Sequence, residues 1–409
     1  MNEKTKMKSG KKVFLSILAV FLVLGAAYSA LAYFAAENNL ISSNDFYFYL
    51  AVDEGSNASL SKEEIMDYES KYKDYSSDKY YSLLNEEEKV IYKAVVYAFE
   101  NNEVCIFIPA DFIPTGELSV KDIMFFVALD SPLVEQNIAW GDQSFTAEIT
   151  VKDRLGLIHS KEVEGNSFYI QNFSEEKING KLQAVKKAEE IISDMPADIT
   201  EDKDKITYFF DFLAEGSDYI EYENMEAPNF VYDALISRKS NCDGFANALS
   251  LLCNMSDIEC FEKMCSGKDE KDGHTWNCVI LNDQYYNVDV TNAVDKDDKD
   301  HTEIYLYFPD VYNPFTCEYE NMVPPCTDAS LSSFDCAFTS ESNSDIAGRL
   351  VSAFKKNSNK YVCAYFENVT EQEIDKICDL FSYKTEKDFT YITEDPETDE
   401  IHTLIIVAE

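Results

Sequence analysis

Three residues of this chain could together perform nucleophilic chemistry: Cys242, His274 and Asp289. In a thiol–imidazole–carboxylate triad, the imidazole takes the thiol proton and the carboxylate orients the ring. Apolar residues follow Cys242 at helical spacing, and the capping residues Ser240 and Asn241 precede it, so a helix is expected to begin at the cysteine. Backbone N–H groups at a helix start favour the thiolate. Alone, Cys242 also fits a buried helix cysteine.

A β-hairpin is expected to carry the other two residues. Residues 274–281 and 284–291 are rich in β-branched and aromatic side chains, and Asn282-Asp283 lies between them. This pattern predicts two strands joined by a two-residue turn. Leu281 then pairs with Gln284, which fixes the register of the whole hairpin.

In that register His274 faces Thr291 and Trp276 faces Asp289. His274 and Asp289 become diagonal neighbours on one face of the hairpin, with their backbones roughly 7–8 Å apart. Their side chains can therefore meet. A three-residue turn would instead place them on opposite faces, which would separate the imidazole from the carboxylate.

The residues around this triad resemble the transglutaminase-like superfamily of papain-type thiol enzymes. The matching pieces are Cys242-Asp-Gly-Phe-Ala, Asp257-Ile-Glu-Cys260, His274-Thr-Trp-Asn277 and Tyr286-Asn-Val-Asp-Val-Thr291. The family's chain order of Cys, His and Asp is kept, with spacings of 32 and 15 residues. Together with the helical segments upstream, the resemblance covers roughly residues 75–320.

The resemblance implies an α+β fold in which the nucleophile helix packs on an antiparallel sheet. It also implies that Cys242 is the nucleophile, His274 the base and then the acid, and Asp289 the residue that orients the ring. Asn292 departs from the tryptophan of many bacterial members, which leaves the acyl-acceptor side of the cleft undefined. Residues 219–232 form a predicted loop that could supply an oxyanion donor beside the Cys242 N–H. Gly244 is expected to keep the first helical turn open to substrate.

The function expected from this resemblance is thiol-dependent acyl transfer on protein or peptide amides at the cell envelope. With water as acceptor the same chemistry makes the protein a cysteine peptidase. The alternatives are a non-catalytic adhesion or interaction module, and a disulfide-stabilised surface protein with Cys242 oxidised. We expect no cofactor, and no C-x-x-C pair or histidine-rich cluster indicates a metal site.

The charge of the chain excludes one class of partner. Its 76 acidic and 35 basic residues give a formal charge of −41, whereas nucleic-acid binding needs a cationic surface. Four acidic residues cluster after the hairpin: Asp295, Asp297, Asp298 and Asp300. Their oxygens could bind calcium, but the EF-hand pattern is missing, and a solvated acidic turn fits better.

The N-terminus indicates export. Five lysines in residues 1–12 precede a charge-free stretch over residues 13–36. This stretch is long enough to span a bilayer, and the lysines place the N-terminus in the cytoplasm. A signal peptide cleaved near Ala30-Leu-Ala32 is the alternative. In either case the remainder is expected outside the cytoplasm, where the ten cysteines other than Cys242 could form disulfides or remain core residues.

The periodicity predicts helices and strands throughout the rest of the chain. The expected domains are a tail (1–12), an anchor or signal peptide (13–36), a tether (37–74), an N-terminal α+β domain (75–174), the catalytic domain (175–335) and a C-terminal α+β module (338–409). Helices are expected from Asn85, from Ser119, over 181–193, after a Thr200 cap, over 346–354 and over 371–381. Further strands are expected over 104–108, 145–151, 304–308, 361–366, 389–393 and 401–407.

Overall fold

The elements of the chain are defined by a computed structural model. It describes residues 47–51, 57–101, 105–110, 113, 116–134, 142–152, 158–169, 175–222, 230–265, 273–294, 302–310, 319, 321–338, 342–356, 361–386, 389–394 and 401–408. The predicted anchor or signal peptide (13–36) with its basic tail, and the acidic cluster 295–300, lie outside these residues. In the described part of the chain, no helix has the length and apolar character that a bilayer crossing requires.

The described residues contain both strands and helices. The strands are β1 (Tyr47–Ala51), β2 (Asn57–Ser61), β3 (Cys105–Pro109), β4 (Asp142–Lys152), β5 (Ile158–Tyr169), β6 (Asp218–Tyr219), β7 (Lys239–Ser240), β8 (Cys260–Cys265), β9 (His274–Leu281), β10 (Gln284–Val288), β11 (Cys336–Phe338), β12 (Tyr361–Val369), β13 (Phe389–Glu394) and β14 (Ile401–Ala408). The helices are α1 (Lys62–Met66), α2 (Lys79–Leu83), α3 (Glu86–Glu100), α4 (Val120–Asp130), α5 (Glu175–Asp194), α6 (Asp202–Ala214), α7 (Phe230–Tyr232), α8 (Cys242–Asn254), α9 (Val290–Val294), α10 (Asn343–Lys356) and α11 (Glu371–Thr385). The predicted α+β class is confirmed.

The chain divides into two compact units. The first contains described residues within 47–70, 85–124 and 138–173, and its antiparallel sheet has the strand order β2-β1-β3-β5-β4. Helix α3 begins as predicted after Asn85, whose side chain accepts the N–H of Glu88 at 3.0 Å while its own N–H donates to the Glu88 carboxylate at 2.9 Å. This reciprocal capping satisfies two backbone donors that the helix start leaves open.

The second unit contains the predicted catalytic core. A three-stranded antiparallel sheet, ordered β10-β9-β8, packs against helix α8. Helices α5, α6, α7 and α9 also contact α8, so every residue from Cys242 to Cys253 is buried. Because neighbours surround this helix, burial extends beyond the apolar residues that the sequence places at helical spacing. Its polar residues are hydrogen-bonded: Ser250 Oγ, for example, accepts from Asn277 at 2.9 Å.

The C-terminal part of the second unit folds as the predicted α+β module. Its sheet has the order β11-β12-β14-β13, and helices α10 and α11 bury their apolar residues against it. A second apolar cluster joins Ile304 and Phe308 to Cys363, Tyr365 and Ile405. The domain boundaries drawn from the sequence stay predictions.

Three local expectations differ from the structure. The segment predicted as a strand at 304–308 contains a 3₁₀ turn (Thr302–Tyr305) and one antiparallel bridge between Phe308 and Asn287. Glu201, rather than Thr200, occupies the cap position of α6, and within the described part of the chain its side chain makes no capping bond. Within the predicted tether, the structure has β1, β2 and α1.

Candidate active site

Cys242 is the first residue of α8, as the sequence predicts. The preceding Asn241 occupies the cap position, and its side-chain oxygen accepts the N–H of Gly244 at 3.2 Å. Cys242 is buried but keeps 8% of its surface exposed. Cys242 therefore lies at the positive end of a helix and is almost fully buried, a placement that fits both a nucleophile and a buried helix cysteine.

Gly244 fixes the packing of this helix start. A Cβ atom added to Gly244 would lie 2.8 Å from the carbonyl oxygen of Phe230 and closer still to the Ser240 hydroxyl. The expectation that Gly244 leaves room for substrate is wrong, because its α-carbon faces the protein backbone. The glycine instead allows α7 and the β7 strand to approach the first turn of α8.

The predicted hairpin is confirmed, including its two-residue turn. Leu281 pairs with Gln284, and the turn residues Asn282 and Asp283 have φ values of 52° and 62°. Positive φ at both positions is the type I′ geometry that matches the twist of the strands. The ladder ends at the pair Asn277–Val288.

The predicted pairing beyond that point is wrong, but the expected contact forms. Thr291 lies in helix α9 and does not face His274, which pairs with Cys265 on β8 instead. The chain leaves the sheet after Val288, where the N–H of Asp289 donates to the carbonyl of Tyr305 at 2.9 Å. Asp289 Oδ2 still lies 2.7 Å from His274 Nε2.

Asn292 completes the surroundings of Asp289. Its side-chain N–H donates to Asp289 Oδ2 at 2.7 Å, and its backbone N–H donates to Oδ1 at 3.1 Å. Asp289 thus caps helix α9 while it faces the imidazole. The sequence drew attention to Asn292 only as a departure from a family pattern. An Asp followed three residues later by Asn at a helix start was the signal for this second role.

The structure brings the three predicted triad residues together: Cys242, His274 and Asp289 form one contact array. Burial alone lowers the pKa of His274, but the charge of Asp289 and hydrogen bonds to Asp289 and Cys242 outweigh it and raise that pKa well above its usual range. Since Nε2 faces Asp289, the other ring nitrogen, Nδ1, is left for the thiol. The imidazolium form is therefore favoured between an acid and a sulfur.

Trp276 supports the imidazole from one side. The two rings stack with their centroids 5.9 Å apart and an interplanar angle of 16°. The indole N–H donates to Asn287 Oδ1 at 3.0 Å, which fixes the ring behind His274. Asn287 also donates to the carbonyl of Phe308 at 3.1 Å. The sequence pattern predicts Trp276 only as a strand residue.

A buried acid, Asp243, lies next to the candidate nucleophile. Thr275, the neighbour of His274, donates to Asp243 Oδ1 at 2.7 Å, and Asn241 donates to Oδ2 at 3.2 Å. Burial raises the pKa of Asp243, although these two hydrogen bonds and His274 lower it. Asp243 therefore joins the helix that carries Cys242 to the strand that carries His274.

Glu262 is a second buried acid near this array. It is 0% exposed and lies opposite Asn277 in the β8–β9 ladder. Among the residues that the structure describes, none hydrogen-bonds to either of its carboxylate oxygens. Burial raises the pKa of Glu262 well above its usual range, and the negative charge of Asp243 adds to this shift. The neutral acid is the form that such a site tolerates.

The predicted oxyanion-hole loop is described only at its ends. Tyr219 ends the short strand β6, and residues 223–229 lie outside the described residues. Burial and then a hydrogen bond to Glu221 raise the pKa of Tyr219, with a smaller contribution from the charge of Cys242. Tyr222 donates to Asp233 at 2.9 Å. An oxyanion donor from this loop stays a prediction.

Comparisons with known proteins bear on residues 189–290, which match the family model described as the transglutaminase-like superfamily. The resemblance seen in the sequence is thereby confirmed for this segment. No curated protein matches the chain.

Three solved structures are similar at 12% sequence identity. A candidate cysteine protease from Cytophaga hutchinsonii has a TM-score of 0.22, with 38% of this chain and 66% of that one covered. The periplasmic domain of TgpA from Pseudomonas aeruginosa, bound to ethylmercury, has a TM-score of 0.21, with 37% and 66% covered. A structure described as a TGase has a TM-score of 0.25, with 49% and 53% covered. The chain thus spans less than two thirds of the length of each.

Proposed function

We propose, from the membership of residues 189–290 in the transglutaminase-like superfamily, that this protein is a thiol-dependent acyl-transfer enzyme acting on protein or peptide amides. Its triad is Cys242, His274 and Asp289. The observation that carries the proposal is the 2.7 Å contact between His274 Nε2 and Asp289 Oδ2, together with the hydrogen bond between His274 and Cys242.

The reaction follows from the order of these contacts. The Cys242 thiolate attacks the amide carbonyl, and the protonated His274 delivers its proton to the departing amine. A thioester between substrate and Cys242 remains. An amine or water, deprotonated by His274, then attacks this thioester and releases the enzyme. Asp289 holds the imidazole ring and stabilises its charged form throughout.

The acceptor defines which enzyme this is. With a lysine or another amine the product is a cross-link, and with water it is a shortened peptide or a deamidated side chain. The acidic composition, with a formal charge of −41, favours the approach of cationic amines. Peptidase activity is the second candidate. A non-catalytic module is the third, and it is disfavoured because all three triad residues are present and in contact.

The site of action proposed is the cell envelope. The lysine-rich residues 1–12 and the charge-free residues 13–36 support a single-pass anchor with the catalytic domain outside the cytoplasm. Secretion after signal cleavage is the alternative. Mass determination of the mature N-terminus in membrane and culture fractions distinguishes them: an intact N-terminus in membranes supports the anchor, and a start after residue 32 contradicts it.

Alkylation by iodoacetamide tests the triad, because the thiolate is the reacting species. Peptide mass spectrometry of the full chain should show Cys242 labelled at least about tenfold faster than the buried Cys363. His274→Ala should remove this advantage, whereas His402→Ala, which changes a histidine on β14, should keep it. Equal rates for Cys242 and Cys363 in the wild type would refute the triad.

Product analysis tests the acceptor. A mixed protein substrate is incubated with a fluorescent primary amine, and incorporated fluorescence is compared with fragment release. Incorporation that is lost in Cys242→Ala indicates a transferase, and fragments that are lost in the same variant indicate a peptidase. If neither product forms although Cys242 is still alkylated rapidly, the proposed action on protein amides is contradicted.

A further inference from the structure

Two buried sulfur atoms outside the triad lie close to each other. Cys278 Sγ and Cys326 Sγ are 3.6 Å apart, and the two residues are 0% and 1% exposed. Cys278 is on β9, four residues after His274, and Cys326 is in the segment that leads towards β11. Neither residue belongs to the triad.

Backbone hydrogen bonds hold Cys326 at this place. Its N–H donates to Asp310 Oδ2 at 2.7 Å, and the N–H of Asp310 donates back to the Cys326 carbonyl at 2.7 Å. Asp310 also accepts from Asn287, the residue opposite Cys278 in the β9–β10 ladder, at 2.9 Å. The approach of the two sulfurs is therefore fixed by the main chain and the sheet, and not only by the torsions of two side chains.

A buried cation faces the pair. Lys263 is 3% exposed, and its Nζ lies 3.4 Å from Cys326 Sγ and 3.2 Å from both Asp310 Oδ1 and Asn287 Oδ1. The hydrogen bond to Cys278, burial and the charges of Cys278 and Asp310 raise the pKa of the Cys326 thiol, whereas the charge of Lys263 lowers it. The ammonium group therefore offsets part of the cost of forming the thiolate, which is the species that attacks a disulfide. The thiols Cys253 and Cys260 are also in contact, but the side chains that hydrogen-bond to the Cys260 sulfur, Ser250 and Asn277, are neutral.

We propose that Cys278 and Cys326 are a modification site that forms an intramolecular disulfide by exchange with a disulfide-containing oxidant, such as oxidised glutathione or a protein disulfide. When local opening of its segment exposes Cys326, the Cys326 thiolate attacks one sulfur of the oxidant, forming a mixed disulfide and releasing one thiolate. Cys278 then loses its proton and attacks the Cys326 sulfur, which releases the second thiolate. The protein gains one S–S bond and loses two protons, and the oxidant is reduced to two thiols.

The bond would close a covalent ring from β9 to the segment containing Cys326. Residues 279–325 lie within the ring, and they include Asp289 and Asn292. A closed loop of this length restricts the unfolded chain and so stabilises the fold. The hairpin and helix α9, which hold the carboxylate of the triad, would then resist local unfolding.

Redox titration of the full chain tests this site. Cys242→Ser removes the partly exposed thiol, and the protein is equilibrated in glutathione buffers without other reductants. It is then denatured with excess N-ethylmaleimide, digested without reduction and mapped by mass spectrometry. We expect a linked peptide containing Cys278 and Cys326, and a melting temperature several degrees above that of the reduced protein. Alkylation of both residues across all buffers, or linkage of either to another cysteine, would overturn the assignment.

Two comparisons test the part played by Lys263. Cys253 and Cys260, which are also in contact, serve as an internal reference, and their oxidation midpoint should not move when Lys263 is replaced. Lys263→Met removes the cation that stabilises the reduced form, so the midpoint of Cys278–Cys326 oxidation should move to a lower ratio by about tenfold. An unchanged midpoint in a variant with native near-UV circular dichroism would contradict the role of the cation. If that variant fails to fold, the peptide map of the Cys242→Ser protein still decides the disulfide.

Discussion

Asn292 donates its side-chain N–H to Oδ2 of Asp289 at 2.7 Å, and this is the same oxygen that faces Nε2 of His274. The backbone N–H of Asn292 holds the other oxygen at 3.1 Å. Both carboxylate oxygens therefore have fixed partners, and the direction of Asp289 towards the imidazole is set by the start of helix α9.

Replacing Asn292 should weaken the array without removing any member of the triad. In Asn292→Ala, the rate of Cys242 alkylation near neutral pH should fall about tenfold, because a hydrogen bond to a charged group contributes about 1.5–3 kcal/mol. In Asn292→Asp the rate of Cys242 alkylation should fall further, because the new aspartate adds a like charge beside Asp289. The measurement is the rate of Cys242 alkylation as a function of pH. If Asn292 positions Asp289, the pH at which this rate changes should differ between the variant and the wild type. Wild-type rates and profile in Asn292→Ala would show that Asp289 needs no such support.

The ion pair between His274 and Asp289 should make stability depend on pH. The pKa of His274 is raised in the folded state, because Asp289 and the hydrogen bonds outweigh burial. The resulting stabilisation is fully present below the unfolded value of about 6.5 and is lost as pH rises through the folded value. Asp289→Asn removes the cause of the shift. Thermal melts should therefore show the largest difference between wild type and variant below about pH 6.5, with a smaller difference in alkaline buffer. A difference that grows with pH would contradict this assignment.

Glu262 should have the opposite type of effect, in which its replacement stabilises the protein. The raised pKa keeps the buried carboxyl neutral, whereas the unfolded chain ionises it above about pH 4.3. The wild type therefore loses up to about 1.4 kcal/mol of unfolding free energy per pH unit above that value, until the folded pKa is reached. Glu262→Gln has no such loss, so its advantage in denaturant melts should increase with pH. Glu189→Gln, an exposed change on α5, is the control and should show no trend. A destabilised Glu262→Gln at neutral pH would mean that the carboxyl is charged and bound.

Two glycine substitutions should differ in sign. Gly244→Ala forces a Cβ to 2.8 Å from the Phe230 carbonyl oxygen, so we expect a loss of about 1–3 kcal/mol in unfolding free energy and slower alkylation of Cys242. Gly348→Ala, within helix α10, meets only the end of Lys384 at 3.9 Å and should gain about 0.5–1 kcal/mol from helix propensity. Chemical denaturation of both variants provides the measurement. Equal effects would show that the space at Gly244 is not restrictive.

Several features followed from local sequence alone. The start of α8 at Cys242 depends on Asn241 as its cap, and the hairpin register depends on Asn282 and Asp283, so both are settled within a few residues. The contact between His274 and Asp289 was also expected, although through a longer ladder than the structure has. Local capping and turn geometry carry this information because the interacting groups are close along the chain.

Other features depend on residues that are far apart in the sequence. The chain turns from β10 into α9 because Tyr305 accepts the N–H of Asp289, and no pattern within the hairpin reveals that bond. Lys263 and Cys326 are also brought together only by the fold.

The sequence by itself determined the class of fold and the three residues that could act together, since spacing and strand alternation decide which side chains share a face. Only the tertiary structure decided how Asp289 is held by Asn292, why Gly244 must lack a side chain, and that two acids and a lysine are buried behind the site. Burial and long-range hydrogen bonding arise from packing of the whole unit, and a local sequence pattern does not contain them.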